Sequence, residues 1–259
     1  MPLPDLTHAQ LSEALKAVTV QPGDGLLIHS ALQLLGRPEA GLQMVLETLL
    51  EAVGSEGTIA VPTFPFTFNR GIDYDPATTP SKGMGALSEF VRQQPDALRT
   101  PHPMQSLAVL GKHAADLARR DTLSAFDDGS AFDCMVQLGF KLLLLGADIQ
   151  SASIVHYSEQ RAEVPYRYWK DFSGRVKQGD EWQLRTYRMF VRDLELNPEL
   201  RLAPIQRALE AADQWHAYPV NFGEVACCRL MDFVAATDAL LAVEPWALVA
   251  NRPEKTSRH

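Results

Sequence analysis

Apolar residues return along this chain in two alternating rhythms. From Thr7 to Val18, the residues Leu11, Leu15 and Val18 recur at helical spacing behind Thr7, which suits a helix cap. Pro22-Gly23-Asp24-Gly25 marks a turn, and Leu26-Leu27-Ile28 is a short apolar run of the buried-strand kind, ending at His29-Ser30. The helical rhythm returns over Gly41 to Val53 and Met84 to Gln93. Further buried strands are predicted at Gly57 to Val61, Leu107 to Leu110 and Lys141 to Leu145, the last ended by Gly146-Ala147-Asp148. A helix is expected from about Ser153 to Ala162. Thr63 to Gly83 has no period and reads as a long loop, and long ordered loops in compact domains are often functional.

Beyond Ala162 the pattern changes. Tyr166 to Val176 and Trp182 to Val191 alternate and are rich in aromatics, with Lys177-Gln-Gly-Asp180 between them. That is a hairpin with a loop longer than the tightest type. Ala203 to Trp215 reads as helix, Gly223 to Leu230 as strand and Met231 to Ala242 as a last helix. Asn251 to His259 reads as a frayed polar tail. Strands alternating with helices over the first 160 residues imply an α/β fold. They suit a largely parallel sheet covered on both faces, to which the hairpin adds antiparallel strands. No repeat or linker interrupts the 259 residues, so one domain over 1–259 is expected.

Composition narrows the partners. Against 24 Lys and Arg stand 32 Asp and Glu, a formal net charge of −8, with no dense basic cluster, so no nucleic acid is expected. The acidic balance suits a cationic ligand, and serves equally for solubility. Cys134, Cys227 and Cys228 form no C-x-x-C, and three cysteines fit a reducing compartment. With no signal-like start and no apolar run near bilayer length, a cytoplasmic protein without membrane contact is expected. A homodimer is allowed. His102, His113 and His156 lie far apart without an H-E-x-x-H, so no metal is expected.

Ser153, His156 and Glu159 stand three and three apart, which places them on one side of a helix, within mutual reach. That helix follows a buried strand, and ligand sites of open α/β sheets lie beyond the carboxyl ends of strands. A carboxylate can fix the tautomer of an imidazole, which then serves as a base toward an amine, and a nearby hydroxyl can donate to an oxyanion. Read alone, the spacing equally fits a surface ion pair, and Glu163 or Asp148 would serve as partner. Ser81, Met84 and Gly85, in Pro80-Ser-Lys-Gly-Met-Gly85, fit either an anion-holding helix start or a plain cap. His102 between Pro101 and Pro103 sits in a stiff segment. Asp127 and Asp128 fit either a cationic amine or a solvated turn.

Several segments in order resemble one family, the antibiotic (aminoglycoside 3-N-) acetyltransferases. They are Gly23-Asp24 with Leu27-Ile28-His29-Ser30, Gly57-Thr58 with Pro62-Thr63-Phe64, and Pro80-Ser81 with Met84-Gly85-Ala86-Leu87. Arg99 with His102-Pro103 and Ser106 follows, then Phe126 with Gly129-Ser130 and Phe132, and Leu143-Leu-Leu-Gly146. Ser153-x-x-His156-x-x-Glu159, Val164-Pro165-Tyr166 and Gly223 with Arg229-Leu230 complete the set, over roughly residues 5 to 240.

The resemblance implies a three-layer α/β/α fold on a mixed sheet, and acetyl-CoA or another acyl-CoA as co-substrate. It implies His156 as general base toward an amine acceptor, Glu159 as its supporting acid and Ser153 near the thioester. It places the donor along His29, Ser30, Ser81, Met84 and Gly85, with His102 on the same side, and the acceptor amine near Asp127, Asp128 and Glu163. The implied acceptor is an aminoglycoside or related amino sugar, with antibiotic resistance as the associated role. A biosynthetic amine and a His/Glu hydrolase activating water are the alternatives. Ser at 153 where the family usually has Thr, and Ala31 where a second Ser is common, are departures.

Overall fold

The computed structural model describes residues 3–252. Strands β1 (Asp5–Leu6) and β3 (Arg37–Pro38) form a short parallel pair. A seven-stranded sheet contains β2 (Gly25–Ser30), β4 (Thr58–Pro62), β5 (Leu98–Arg99), β6 (Leu107–Gly111), β7 (Lys141–Leu145), β10 (His216–Val220) and β11 (Gly223–Arg229). Its order is β10-β11-β7-β2-β4-β6-β5. As expected the sheet is mixed. β2 lies parallel between β7 and β4 at its centre, and the strands that flank this trio pair antiparallel. The central runs are buried on both faces, which is why they read as unbroken apolar stretches.

Helices are α1 (His8–Ala17), α2 (Gly41–Val53), α3 (Ala86–Arg92), α4 (Ala114–Leu117), α5 (Ala131–Gln137), α6 (Val155–Arg161), α7 (Ala203–Ala211) and α8 (Leu230–Val243). Thr7 caps α1 by accepting from the Gln10 amide, and the Gln10 side chain accepts from the Thr7 amide in return. On one face of the sheet, Leu26, Ile28, Ile59 and Leu143 pack with Leu11, Val45 and Leu87 from α1, α2 and α3. On the other, Leu27, Ala60, Leu142 and Leu144 pack with Phe132, Val155 and Phe233 from α5, α6 and α8. Alternate residues of each strand thus feed two separate cores, the signature of a three-layer α/β/α arrangement.

The expected hairpin is present as β8 (Arg167–Gln178) and β9 (Glu181–Arg192), a separate two-stranded sheet. Its turn is tighter than the sequence pattern predicted. Lys177 and Gln178 join the ladder, Gln178 pairs with Glu181, and only Gly179 and Asp180 remain to turn the chain. Gly179 supplies the positive φ, +59°, that such two-residue turns require. The end of the hairpin nearest its turn sits on the long loop, where Val176 bridges to Tyr74. Phe68 and Tyr74 from the loop join Met104, Val176 and Tyr187 in a small third core. Arg175 and Lys177 pair with Asp73 and Asp75 of the same loop.

Several elements that the periodicity did not predict are short or largely buried, and the edge strand β10 was also missed. β5 has two residues, and α5 buries almost every side chain, which erases any amphipathic rhythm. The expected tail falls largely on 253–259, outside the described residues. No helix among the described residues is long and apolar enough to cross a membrane.

Candidate active site

β7 ends at Gly146, where φ is +70° and a Cβ would meet the Ala31 carbonyl at 2.7 Å. Only glycine lets the chain pass this close to the end of β2. Asp148 then accepts from the Gln150 amide and starts a single tight turn over Ile149–Ser151. Ser153 follows, two residues before α6. It lies ahead of the helix rather than on it, so its hydroxyl points toward β2 instead of down the helix face. Its Oγ is 3.4 Å from Nε2 of His29, the penultimate residue of β2. Burial holds the His29 imidazole neutral, lowered to about 4.

His156 and Glu159 sit one turn apart on α6. Glu159 is fully buried and its Oε2 lies 2.6 Å from His156 Nδ1. Arg167, the first residue of β8, brings its Nε to 2.9 Å from the same oxygen. Burial alone would raise the Glu159 carboxyl. The hydrogen bond and charge of His156, together with Arg167, outweigh that and hold it below the usual carboxylate range. An ionised carboxylate can only accept, so the proton of the 2.6 Å bond belongs to Nδ1. His156 is thereby set as the tautomer with its lone pair on Nε2. Arg167 Nη2 also stands 3.2 Å from Nδ1, and another nitrogen of the guanidinium donates to the Phe190 carbonyl. Burial, then the neighbouring Glu159 charge, push the Tyr166 hydroxyl well above its ordinary range.

Two cavities meet at His156. The larger, about 550 Å³, lies across the carboxyl ends of β2, β4 and β7. His29, Ser30, Met84, Gly85, Ser153 and His156 line it, so sequence reasoning and structure bring these six together. The smaller, about 230 Å³, opens under the hairpin and is lined by Phe126, Arg167, Phe190, Arg192 and neighbours. Phe64, Phe66 and His156 belong to both walls.

The other expected residues lie elsewhere. Ser81 turns its amide and hydroxyl onto the Glu89 carboxylate, 2.9 and 2.8 Å away, within a pair that Glu89 makes with Arg92. His102 is buried against Tyr187 at 5.0 Å, midway along the hairpin. Asp127 accepts from Gln160 and from the Ser124 amide, which makes it a brace between a turn and α6. Asp128 is exposed beside Arg161, and Glu163 sits past α6 with φ +46°. None of these five lines either cavity. Residues the sequence reading did not single out are Arg167, Phe66, Gln33, Gln150, Ser151 and Arg192. Arg167 lies eight positions beyond Glu159 across a Val-Pro turn, a spacing that carries no local signal.

The family model for aminoglycoside 3-N-acetyltransferases matches residues 27–242, most of the chain and all of the sheet-end site. The chain belongs to the aminoglycoside 3-N-acetyltransferase family. Among acetyltransferase relatives, aminoglycoside N(3)-acetyltransferase III of Salmonella sp is 34% identical over 181 residues, which is 63% of each protein. The match thus spans under two thirds of that relative's length. Aminoglycoside N(3)-acetyltransferase VIII of Streptomyces fradiae is 27% identical over 92% of this chain and 91% of its own. The solved structure described as "AAC-IIIb binary with CoASH" shares the acetyltransferase fold, with a TM-score of 0.83 at 22% identity, over 96% of this chain and all of the other.

Proposed function

We propose that this protein transfers the acyl group of acetyl-CoA, or another acyl-CoA, to a primary amine, with His156 as general base and no covalent enzyme intermediate. The observation that carries this reading is the placement of His156 Nε2. Its ring partner nitrogen is committed to Glu159, and the imidazole stands where two cavities meet. A base at a junction can serve a donor on one side and an acceptor on the other.

The larger cavity fits the thioester end of the donor. It is part apolar and edged by the hydroxyls of Ser30 and Ser153 and the amides of Gln33 and Gln150. No Lys or Arg lines it, so the phosphates of the donor lie outside it. The acceptor nitrogen bonds to the thioester carbonyl carbon, its proton passes to His156 Nε2, and the carbon–sulfur bond breaks to release coenzyme A. Ser153 Oγ, next to neutral His29, donates to the carbonyl oxygen as charge develops there. Glu159 holds the imidazole and balances its charge once protonated. An amine is the acceptor class that the names of the relatives support, aminoglycosides among them.

Release of thiol from acetyl-CoA, followed with and without an amine, tests the reading. Thiol release should require the amine, and His156→Ala should lower it by on the order of 10²-fold or more, the usual cost of a lost general base. Full-rate release without an acceptor would mean water activation. Unchanged transfer in His156→Ala would remove the base.

A further inference from the structure

The hairpin is the basic part of an acidic chain. Arg167–Gln178 and Glu181–Arg192 hold seven Lys and Arg against two acids, in a protein of net charge −8. Most of these cations are answered. Arg167 pairs with Glu159, Arg175 with Asp73, Lys177 with Asp75, Arg185 with Asp121 and Arg188 with Asp171. Lys170 lies over the Phe172 ring at 5.4 Å. Arg192 alone makes no ion pair or ring contact among the described residues of the hairpin.

Its position gives that a meaning. Arg192 is the register partner of Arg167 across the ladder, and both line the small cavity that ends at His156. The rest of that wall is aromatic and aliphatic, with Phe64, Phe126, Phe190 and Val191 in it and Gln105 as its uncharged polar side chain. No carboxylate lines either cavity. Glu159 is buried behind His156 under Arg167 and balances it. The acids that sequence alone suggested for a cationic ligand, Asp127, Asp128 and Glu163, do not line the cavity. A polycation entering here would meet the unpaired guanidinium of Arg192 and no free carboxylate, which disfavours it. An amine that also bears an anion would find that free guanidinium in an otherwise largely apolar wall.

Resting on the acyl-transfer reading above, we infer that the acceptor is a primary amine carrying a carboxylate or phosphate on an apolar or ring body, and that Arg192 selects it. The geometry orders the ligand: amine toward His156, anion toward Arg192, ring between the phenylalanines.

Three acceptors separate this from its alternatives: 4-(aminomethyl)benzoate, its uncharged amide, and the aminoglycoside sisomicin. With acetyl-CoA as donor, kcat/KM should fall in that order, the carboxylate exceeding the amide by about fivefold or more, the upper range for a partly exposed ion pair. In Arg192→Gln the ratio of carboxylate to amide should drop to near one. Because a ratio is read, partial misfolding of the variant does not imitate the result. Sisomicin as the best acceptor, a carboxylate-to-amide ratio of one in the wild type, or a ratio unmoved by Arg192→Gln would each overturn the inference and leave acyl transfer standing. Thiol release with none of the three would overturn both.

Discussion

The sheet-end half of the site and its hairpin half are built on different physical terms. His29, Ser153 and the α6 dyad stand on strands buried on both faces, β2 and β7, and on the turn that Gly146 allows between them. The hairpin has no large core of its own. It is held on one face by a cluster of five buried side chains, Val176 and Tyr187 among them, and along its length by ion pairs to loops, while Trp182 and Leu184, on either side of the residue that pairs with Val176, are 45% and 77% exposed. The His156–Glu159 pair is fixed where packing is dense, and the wall that the proposed acceptor would meet is carried partly by a hairpin that is not part of the central sheet. Arg167 links them, as the first residue of β8 and the cover of Glu159, and Phe190 of β9 packs against the core of the sheet. Families that keep a reaction and vary its acceptor are expected to be built this way, with rigid elements for the catalytic group and adaptable ones for selection.

Acid should strike both halves at once. His29 belongs to the sheet end and His102 packs against the middle of the hairpin, and burial lowers each to about 4. For His102 the backbone of Arg188 and Leu123 opposes that lowering only in part. The unfolded chain takes up these protons near 6.5 and the folded one only near 4. Stability is therefore fully present above about pH 6.5 and is lost as pH falls toward 4, by about 3 kcal/mol for each histidine. Glu159, whose folded value is depressed, adds stability above the ordinary carboxylate range and loses it below. Melting followed from pH 7 to 4 should show a steep decline. His102→Gln should flatten about half of it, and His29→Gln the other half. A melting temperature level across that window would mean that neither histidine is held neutral.

Glu159→Gln tests the link itself. The amide cannot balance an imidazolium, and it leaves the Arg167 guanidinium, 9% exposed, without a counter-ion. Removing one partner of a buried pair costs about 3–5 kcal/mol, of which retained amide hydrogen bonding will return a part. The loss in kcat should be on the order of 10²-fold, with KM for the amine moving little, because the dyad acts in the transition state. Equal losses in kcat and in folding, both reversed by lower temperature, would reduce Glu159 to a structural brace.

Much of this was legible in the sequence where side chains repeat. The strands that pack on both faces read as apolar runs, and α1 and α2 as amphipathic helices, because burial writes a period. His156 and Glu159 were legible through their three-residue spacing, since a helix turns such pairs onto one side. Arg167 was not, because a Val-Pro turn and a change of element separate it from Glu159, and only folding brings them to 2.9 Å. The surroundings of the acidic turn at Asp127 were hidden for the same reason. Its carboxylate is spent on Gln160 and a backbone amide, partners that local sequence does not reveal. The hairpin was read correctly and its turn was not, since Lys177 and Gln178 look like loop residues and still pair in register.

The smallest expected effect is at the hairpin tip. Trp182 lies beside the Arg175 guanidinium, at 5.7 Å, and pairs across the ladder with Lys177. Trp182→Ala removes one cation–π contact at an exposed site, worth about 0.5–1 kcal/mol locally, while the buried cluster of Phe68, Tyr74, Met104, Val176 and Tyr187 on the other face stays intact. The global melting temperature should therefore hold to within a few degrees and acyl transfer to within about twofold. Amide exchange should quicken at Gln178 to Trp182 and stay unchanged near Phe190. Loss of transfer comparable to that of Glu159→Gln would instead mean that the whole length of the hairpin, and not its root alone, positions the wall beside His156.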